Sequence, residues 1–298
     1  YTSKDNVLLA IKRKKDTRAT YLRNAELTYS REHYNGISYN AVIRNFREYA
    51  TDYARFDRIG ANGAVTPVRK YDMTELELKF RYGKNEKFYQ THDERIPITY
   101  DALIFNLEHT MSKKGFLGSL YDYHRTELGI QKRLWFSAFG FVDVIGKAGK
   151  GWNKVPYPLL ILPNANLTYT IQPEAYTNMN AIEFINDEYI SWDVTYYMNG
   201  LILNRLPLIK KLKWREVLCF RGLWGHLTDK NNPMKTGEGL YAFPVGSGVM
   251  GRAPYMEASV GIENIFKFMR LDYVWRLNYR DHSGIQKRGI RCTMSLSF

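Results

Sequence analysis

The chain has 298 residues, 45% of them hydrophobic, a formal net charge of +13, and only short wholly apolar runs such as Leu159-Leu160-Ile161-Leu162. A membrane-crossing helix needs about 20 consecutive apolar residues, so helical spans are excluded. A chain of this kind that crosses a bilayer must do so as a closed β-barrel, the other structure that satisfies every backbone group in lipid.

The aromatic content, 15% with 23 Tyr, 15 Phe and 6 Trp, suits the aromatic girdles of such a barrel. An aromatic-rich all-β protein dissolved in water would satisfy composition equally. Lys12-Arg13-Lys14-Lys15 and Lys210-Lys211-Leu212-Lys213 concentrate positive charge. No zinc-finger, helix-turn-helix or RNA-recognition signature accompanies them, so they read as solvated loops, lumen, or ends facing anionic lipid. The two cysteines, Cys219 and Cys292, cannot form a disulfide framework and read as small hydrophobes within strands. Tyr1 opens the sequence with no Met or leader, and Val7–Ile11 is already strand-like, so the sequence reads as a fragment or processed form.

Along the chain the dominant signal is an alternation of period two, as in a strand whose successive side chains point to opposite faces. A strand is expected near Val7–Lys14. Next, Ala25, Leu27 and Tyr29 oppose Asn24, Glu26, Thr28 and Ser30. Tyr34-Asn35-Gly36-Ile37 marks a tight turn, because Asn-Gly readily takes positive φ. After a strand near Ile37–Glu48, Leu76, Leu78, Phe80 and Tyr82 oppose Glu75, Glu77, Lys79 and Arg81. Weaker strands are expected near Ile98–Glu108, Tyr121–Lys132 and Phe136–Lys147. Then Ile190, Trp192, Val194, Tyr196 and Met198 oppose Ser191, Asp193, Thr195 and Tyr197, with a further strand near Trp214–Leu227.

The last three strands are the clearest. Met256, Ala258, Val260 and Ile262 oppose Glu257, Ser259, Gly261 and Glu263, and Asn264–Lys267 is a short turn. Leu271, Tyr273, Trp275 and Leu277 oppose Arg270, Asp272, Arg276 and Asn278, with Val274 the exception. Finally Ile290, Cys292, Met294, Leu296 and Phe298 oppose Gly289, Arg291, Thr293, Ser295 and Ser297. A helical period fits none of these.

The result is about twelve strands near the 9–11 residues that cross a bilayer at a tilt, longer than the 5–6 usual in soluble sheets. The apolar face carries bulk that lipid tolerates better than a close-packed core. The fold class is therefore all-β, an antiparallel transmembrane barrel. Long links over Ala50–Asp72, Gly149–Asp187 and Thr228–Pro254 alternate with short turns, as outer-membrane barrels arrange extracellular loops and periplasmic turns. Gly237-Glu238-Gly239 and Gly246-Ser247-Gly248 match no phosphate-binding spacing and read as a mobile surface loop.

No catalytic constellation emerges. There is no His-Glu-x-x-His, Cys-x-x-Cys or Gly-x-Ser-x-Gly, and His124 with Glu127 or His226 with Asp229 read as rim or lumen polar residues rather than acid–base pairs. No cofactor or metal is expected. The polar faces are more informative. If Glu257, Glu263, Arg270, Asp272, Arg276 and Arg291, with Arg125 and Glu127, point inward, opposite charges are expected to pair across strands. Such a network stiffens the wall and plugs the lumen, or sets ion selectivity, or holds an infolded loop.

Three segments, Trp214–Asp229, Pro254–Lys267 and Arg270–Leu277, together with Tyr123–Glu127 and Gln172–Tyr176, resemble a Bacteroidetes-type outer-membrane family of uncharacterised function. Its members carry an N-terminal carboxypeptidase-regulatory-like domain, which on this resemblance would lie upstream of Tyr1. More loosely, the layout is similar to the BamA-like barrels of outer-membrane assembly and two-partner secretion. Those have sixteen strands and a long loop between the eleventh and twelfth that folds into the lumen. The link at 149–187 falls in that place, with Gln172, Pro173, Glu174 and Tyr176 as the candidate infolded segment. The superfamily's Val-Arg-Gly-Phe/Tyr motif is replaced here by Thr170-Ile-Gln-Pro-Glu-Ala-Tyr176. Tyr273, Ile290, Met294, Leu296 and the terminal Phe298 resemble the C-terminal assembly signal of outer-membrane proteins, an alternating edge that assembly machinery can pair with.

These readings converge on residues 1–298 as the C-terminal portion of one outer-membrane barrel that lacks about four strands. The expected role is non-enzymatic: assisting protein insertion, translocation or surface assembly. Outer-membrane lipid, the assembly machinery and other outer-membrane or secreted proteins are the expected partners, and nucleic acid is not. A diffusion channel or structural barrel is the alternative, and a soluble basic β-protein binding nucleic acid a second one.

Overall fold

The structure, a computed structural model, describes residues 19–90, 95–170, 172, 174–282 and 284–294. The expected strand at 7–14, the Lys12–Lys15 cluster, Pro173, Leu296 and Phe298 lie outside the described residues.

Among the described residues there are fifteen strands: β1 (Tyr21–Glu32), β2 (Ile37–Tyr49), β3 (Phe56–Ile59), β4 (Val65–Val68), β5 (Lys70–Lys84), β6 (Phe88–Gln90), β7 (Arg95–Pro97), β8 (Leu103–Ser112), β9 (Tyr123–Trp135), β10 (Phe141–Gly151), β11 (Glu188–Tyr197), β12 (Arg215–His226), β13 (Tyr255–Ile265), β14 (Met269–Arg276) and β15 (Arg288–Met294). Eleven form one antiparallel sheet in the order β1-β2-β5-β8-β9-β10-β11-β12-β13-β14-β15. The described sheet is open, with β1 and β15 at its edges. Two hairpins stand apart, β3–β4 and β6–β7.

Where the structure departs from the sequence reading, the cause is local. The strand expected from Ile98 begins at Leu103, because the link before it is spent on the β6–β7 hairpin. The strand expected from Phe136 begins at Phe141, after a tight turn that Gly140 closes at φ 92°. At 33–36 the turn forms with Gly36, not Asn35, in the left-handed region at φ 84°. Asn35 instead accepts the Ile37 N–H on its side-chain oxygen at 3.2 Å.

The links sort by end of the sheet. One end carries the short turns 33–36, 136–140 and 266–268, with longer links at 85–102 and 198–214 that the alternation did not mark. The other carries 50–69, 113–122, 152–187, 227–254 and 277–287. At this long-link end the links pack on one another. Phe56, Val155, Tyr157, Leu159, Ile185, Leu227 and Tyr241 form a buried cluster with Phe46, Tyr71, Met73 and Tyr123 from the strand ends. Segment 239–242 adds a further rung to β3 through Ile59 N–H to Leu240 O at 2.9 Å and Ala242 N–H to Asp57 O at 2.8 Å. The glycine-bearing stretch expected as a mobile loop is therefore part of a packed cap, with Leu240 and Tyr241 buried.

Burial across the sheet is inverted relative to a water-soluble protein. Ile290 is 60% exposed, and Leu271, Val260, Leu218, Phe220, Ile190, Ile130, Leu128 and Leu78 are exposed beside it on the same face. On the opposite face Arg276 is 2% and Arg291 1% exposed, and Glu257, Asp272, Asp193, Glu75 and Glu77 are buried. The alternation thus places bulky apolar side chains outward and ionisable ones inward.

Candidate functional site

The 152–187 link lies against the charged face, and the buried charges are what hold it there. Its two ends are drawn together by the Gly151 N–H, which donates to Asp187 O at 2.6 Å. The buried Asp187 carboxylate accepts from the Thr228 N–H at 3.0 Å, the Thr228 hydroxyl and Asn231 Nδ2 at 2.8 Å. Asn231 in turn accepts the Val155 N–H at 3.0 Å. This polar latch satisfies groups that the apolar cap would otherwise strand without partners.

Beyond the latch the link doubles back on itself. Ile161 and Asn186 exchange backbone bonds of 2.8 and 3.1 Å, and Tyr176 pairs with Asn164 and Asn166 through bonds of 2.8 Å each. At the tip, Asn166 caps a tight turn: its Oδ1 accepts the Thr168 N–H at 2.9 Å and its Nδ2 donates to Thr170 O at 2.7 Å. Thr170 forms a parallel bridge with Cys292, whose N–H donates to Tyr169 O at 2.8 Å. The tip therefore reaches the β15 edge of the sheet.

Four clamps fix the returning limb. Glu257 on β13 accepts the N–H groups of Thr177 and Asn178 at 2.9 and 2.6 Å, and the Tyr255 hydroxyl at 2.6 Å. Arg276 on β14 holds Glu183 with a two-pronged contact of 3.0 and 2.5 Å, and donates as well to Asn178 O, Asn278 O and Tyr279 O. Arg291 on β15 donates to Thr177 O at 2.6 Å. Arg221 on β12 donates to Ala175 O at 3.0 Å and Gln172 O at 3.3 Å, and stands 2.6 Å from Asp193 of β11. Lys147 on β10 adds an ion pair to Glu174, and the Tyr176 hydroxyl donates to Gly222 O at 2.9 Å.

The Arg276–Glu183 pair is fully enclosed. Burial alone would raise the Glu183 carboxyl, but the Arg276 guanidinium, the Asn180 N–H and His282 outweigh it and hold the group below the usual carboxylate range. His282 of the 277–287 link reaches the same carboxylate at 2.9 Å. Burial raises the Tyr176 phenol.

Of the expected charge network, Glu257, Arg276 and Arg291 come together on the link. Arg125 and Glu127 pair on their own strand at 3.1 Å, with Glu127 accepting the Tyr189 hydroxyl at 2.7 Å. Arg270 and Asp272 likewise pair along β14 at 2.7 Å. Glu263 lies in register with Arg215 toward the 266–268 turn, away from the link. Among the described contacts of these eight residues, the ion pairs within the set are Arg125–Glu127 and Arg270–Asp272, each along one strand. Side chains two apart on one strand share a face and meet directly, while the remainder are used by the link. Cross-strand pairs form instead at Arg221–Asp193, Arg133–Asp143 and Arg44–Glu26.

In the candidate infolded segment, Gln172, Glu174 and Tyr176 all touch the sheet. The sequence reading missed Glu183, Asn178 and Asp187, which carry no periodic signal. It also missed Arg221 and Lys147, on strands whose alternation is weak. Of the expected assembly signal, Ile290 and Met294 are exposed and Tyr273 is half-buried on the apolar face. His124 and Glu127 fall on opposite faces of β9, being three residues apart on a strand.

Residues 21–232 match a family described as a family of unknown function (DUF5686), C-terminal domain. The chain belongs to this family. The match includes the latch and clamp residues from Lys147 to Asn231 and stops short of β13. No curated protein matches the chain. Among solved structures it is similar to BamA from Haemophilus ducreyi lacking POTRA domains 1–3, with a TM-score of 0.53 and 8% identity over 92% of this chain and 54% of that one. The chain spans about half the length of that structure. At this identity the likeness is one of fold: an all-β architecture built on a large antiparallel sheet.

Proposed function

We propose that this DUF5686 chain forms the C-terminal part of a closed, non-enzymatic outer-membrane β-barrel that helps place or move proteins at that membrane. The inverted burial carries the reading. A protein dissolved in water exposes contiguous apolar patches of at most a few hundred Å², whereas here the outward faces of adjoining strands are apolar side by side. Strands such as β2, β5 and β9, of 13, 15 and 13 residues, are long enough to cross hydrocarbon at a tilt. Closure requires strands upstream of Tyr21, in line with the half-length span on the BamA structure. A sixteen-strand total and an upstream regulatory-like domain belong to the same proposal.

The role in handling proteins draws on the loop. Five strands follow the 152–187 link, the place of the lumenal loop in BamA-like barrels. A loop fixed by buried clamps leaves little room for free diffusion. The test is removal of the gene followed by comparison of the outer-membrane proteome and surface-exposed proteins. Selective depletion supports the reading, and an unchanged proteome refutes it.

One observation favours a channel instead. A cavity of about 270 Å³ beside the loop is lined by Arg125, Glu127, Lys147, Glu174, Asp193 and Arg221. Steady conductance of the purified protein in planar bilayers would favour that reading, and a silent trace the first.

A further inference from the structure

The 198–214 link at the short-turn end has a composition the barrel wall does not explain. It is held in place from below: the buried Glu216 carboxylate accepts the Ile202 N–H at 3.0 Å and the Leu203 N–H, and Met198 N–H donates to Glu216 O at 3.0 Å. Two 3-10 turns, Leu203–Arg205 and Ile209–Leu212, give it a defined shape. Yet it presents Ile202, Leu206, Leu208 and Leu212 outward, with Leu208 84% exposed. Asn264 Nδ2 donates to Lys213 O at 2.7 Å and so ties the link to the 266–268 turn, where Phe266 is 75% exposed and lies 6.5 Å from Phe268.

The same rim is strongly basic. Arg205, Lys210, Lys211, Lys213 and Lys267 are exposed, and among the described residues none of them forms an ion pair with a carboxylate. At the long-link end Lys113 and Lys235 are paired, with Asp122 and Asp229. Below the rim, the outward face of β12 to β14 continues as Leu218, Phe220, Val260 and Leu271. Apolar anchors continuous with a lipid-facing band, with unpaired cations beside them, form the arrangement that seats in a headgroup layer carrying negative charge.

We propose that the rim formed by 198–214 and 266–268 binds the headgroups of anionic phospholipids in the leaflet at the short-turn end. This rests on the membrane reading above. Leu206, Leu208, Leu212 and Phe266 would insert at the acyl boundary. Arg205, Lys210, Lys211, Lys213 and Lys267 would contact phosphate. In an outer-membrane barrel the short turns face the periplasm, so the occupant is a glycerophospholipid of the inner leaflet, not lipid A.

The full-length protein, with the upstream strands that closure requires, is folded into vesicles of phosphatidylcholine with or without phosphatidylglycerol, extracted, and assayed by mass spectrometry for the phospholipid it retains. Each cation near an anionic surface contributes about fivefold, so the combined Lys210→Gln, Lys211→Gln and Lys213→Gln variant should lose on the order of a hundredfold in preference for phosphatidylglycerol. Lys113→Gln with Lys114→Gln at the opposite end should leave it unchanged. Heat-modifiable gel migration reports folding independently, because every substituted side chain is exposed. A folded wild type with no headgroup preference, or a triple variant that retains it, overturns the proposal. A full-length protein that never enters vesicles overturns the barrel reading itself, which separates the two failures.

Discussion

Arg276 is the side chain on which the loop depends most. It is sealed in the interior with Glu183 and donates to three backbone oxygens besides, so its removal strands a buried carboxylate. Breaking one side of such a pair costs about 3–5 kcal/mol. Arg276→Met should therefore release 152–187 to protease in the folded protein while the sheet survives. Arg133→Met, which breaks a two-pronged pair with Asp143 that does not touch the loop, should leave the loop's resistance to protease unchanged. Limited proteolysis of the two variants side by side decides this, and equal resistance would remove Arg276 from its clamping role. The same carboxylate sets a pH dependence. Because Glu183 is held below the usual carboxylate range in the folded state, its contribution is present above the unfolded value and is lost as pH falls through the folded one. Loop docking should weaken only in acid below the ordinary Glu range, and Glu183→Gln should flatten that acid limb of a protease-protection profile.

At the scale of elements, the strands were legible because side-chain direction in a strand depends on parity alone, a local property. Leu271, Trp275 and Ile290 could be assigned to one face and Asp272, Arg276 and Arg291 to the other without knowing any partner. What each inward charge would touch was not legible. Asp272 meets Arg270 on its own strand, whereas Arg276 meets Glu183 across 93 positions of sequence, and nothing local distinguishes the two. The clamps are long-range choices made by the path of the 152–187 link, which has no period to read. The turns lie between these cases. Asn35-Gly36 announced a hairpin, but the choice of Gly36 as the left-handed residue comes from its neighbour. A Cβ there would meet Gly83 O at 2.3 Å, and φ is 84°. Gly36→Ala thus combines backbone strain with a clash against main chain, and it should destabilise the β1–β2 hairpin by more than about 1 kcal/mol. A lowered urea midpoint with an unchanged slope would show this, and an unshifted midpoint would mean that the turn relaxes.

For the whole molecule the decisive quantity is the environment of the apolar face, and one substitution can read it. Val260 sits mid-strand on β13, 48% exposed, in register with Leu218 and Tyr273. If that face meets hydrocarbon, Val260→Arg places a guanidinium near the bilayer midplane and should cost about 2–4 kcal/mol of folding free energy in vesicles. If it meets water, the same change is an ordinary surface substitution worth within about ±0.5 kcal/mol. Arg215→Ala, an exposed rim position one strand away, serves as the reference because it alters charge without altering the midplane. Urea titration of both variants in phosphatidylcholine vesicles therefore separates lipid from water by a gap several times the measurement error. A penalty confined to Val260→Arg is what an inside-out sheet requires, since lipid contact turns the alternation of strands into free energy. A pair of variants that unfold together would leave the sheet's outward leucines, isoleucines and phenylalanines without a solvent that favours them.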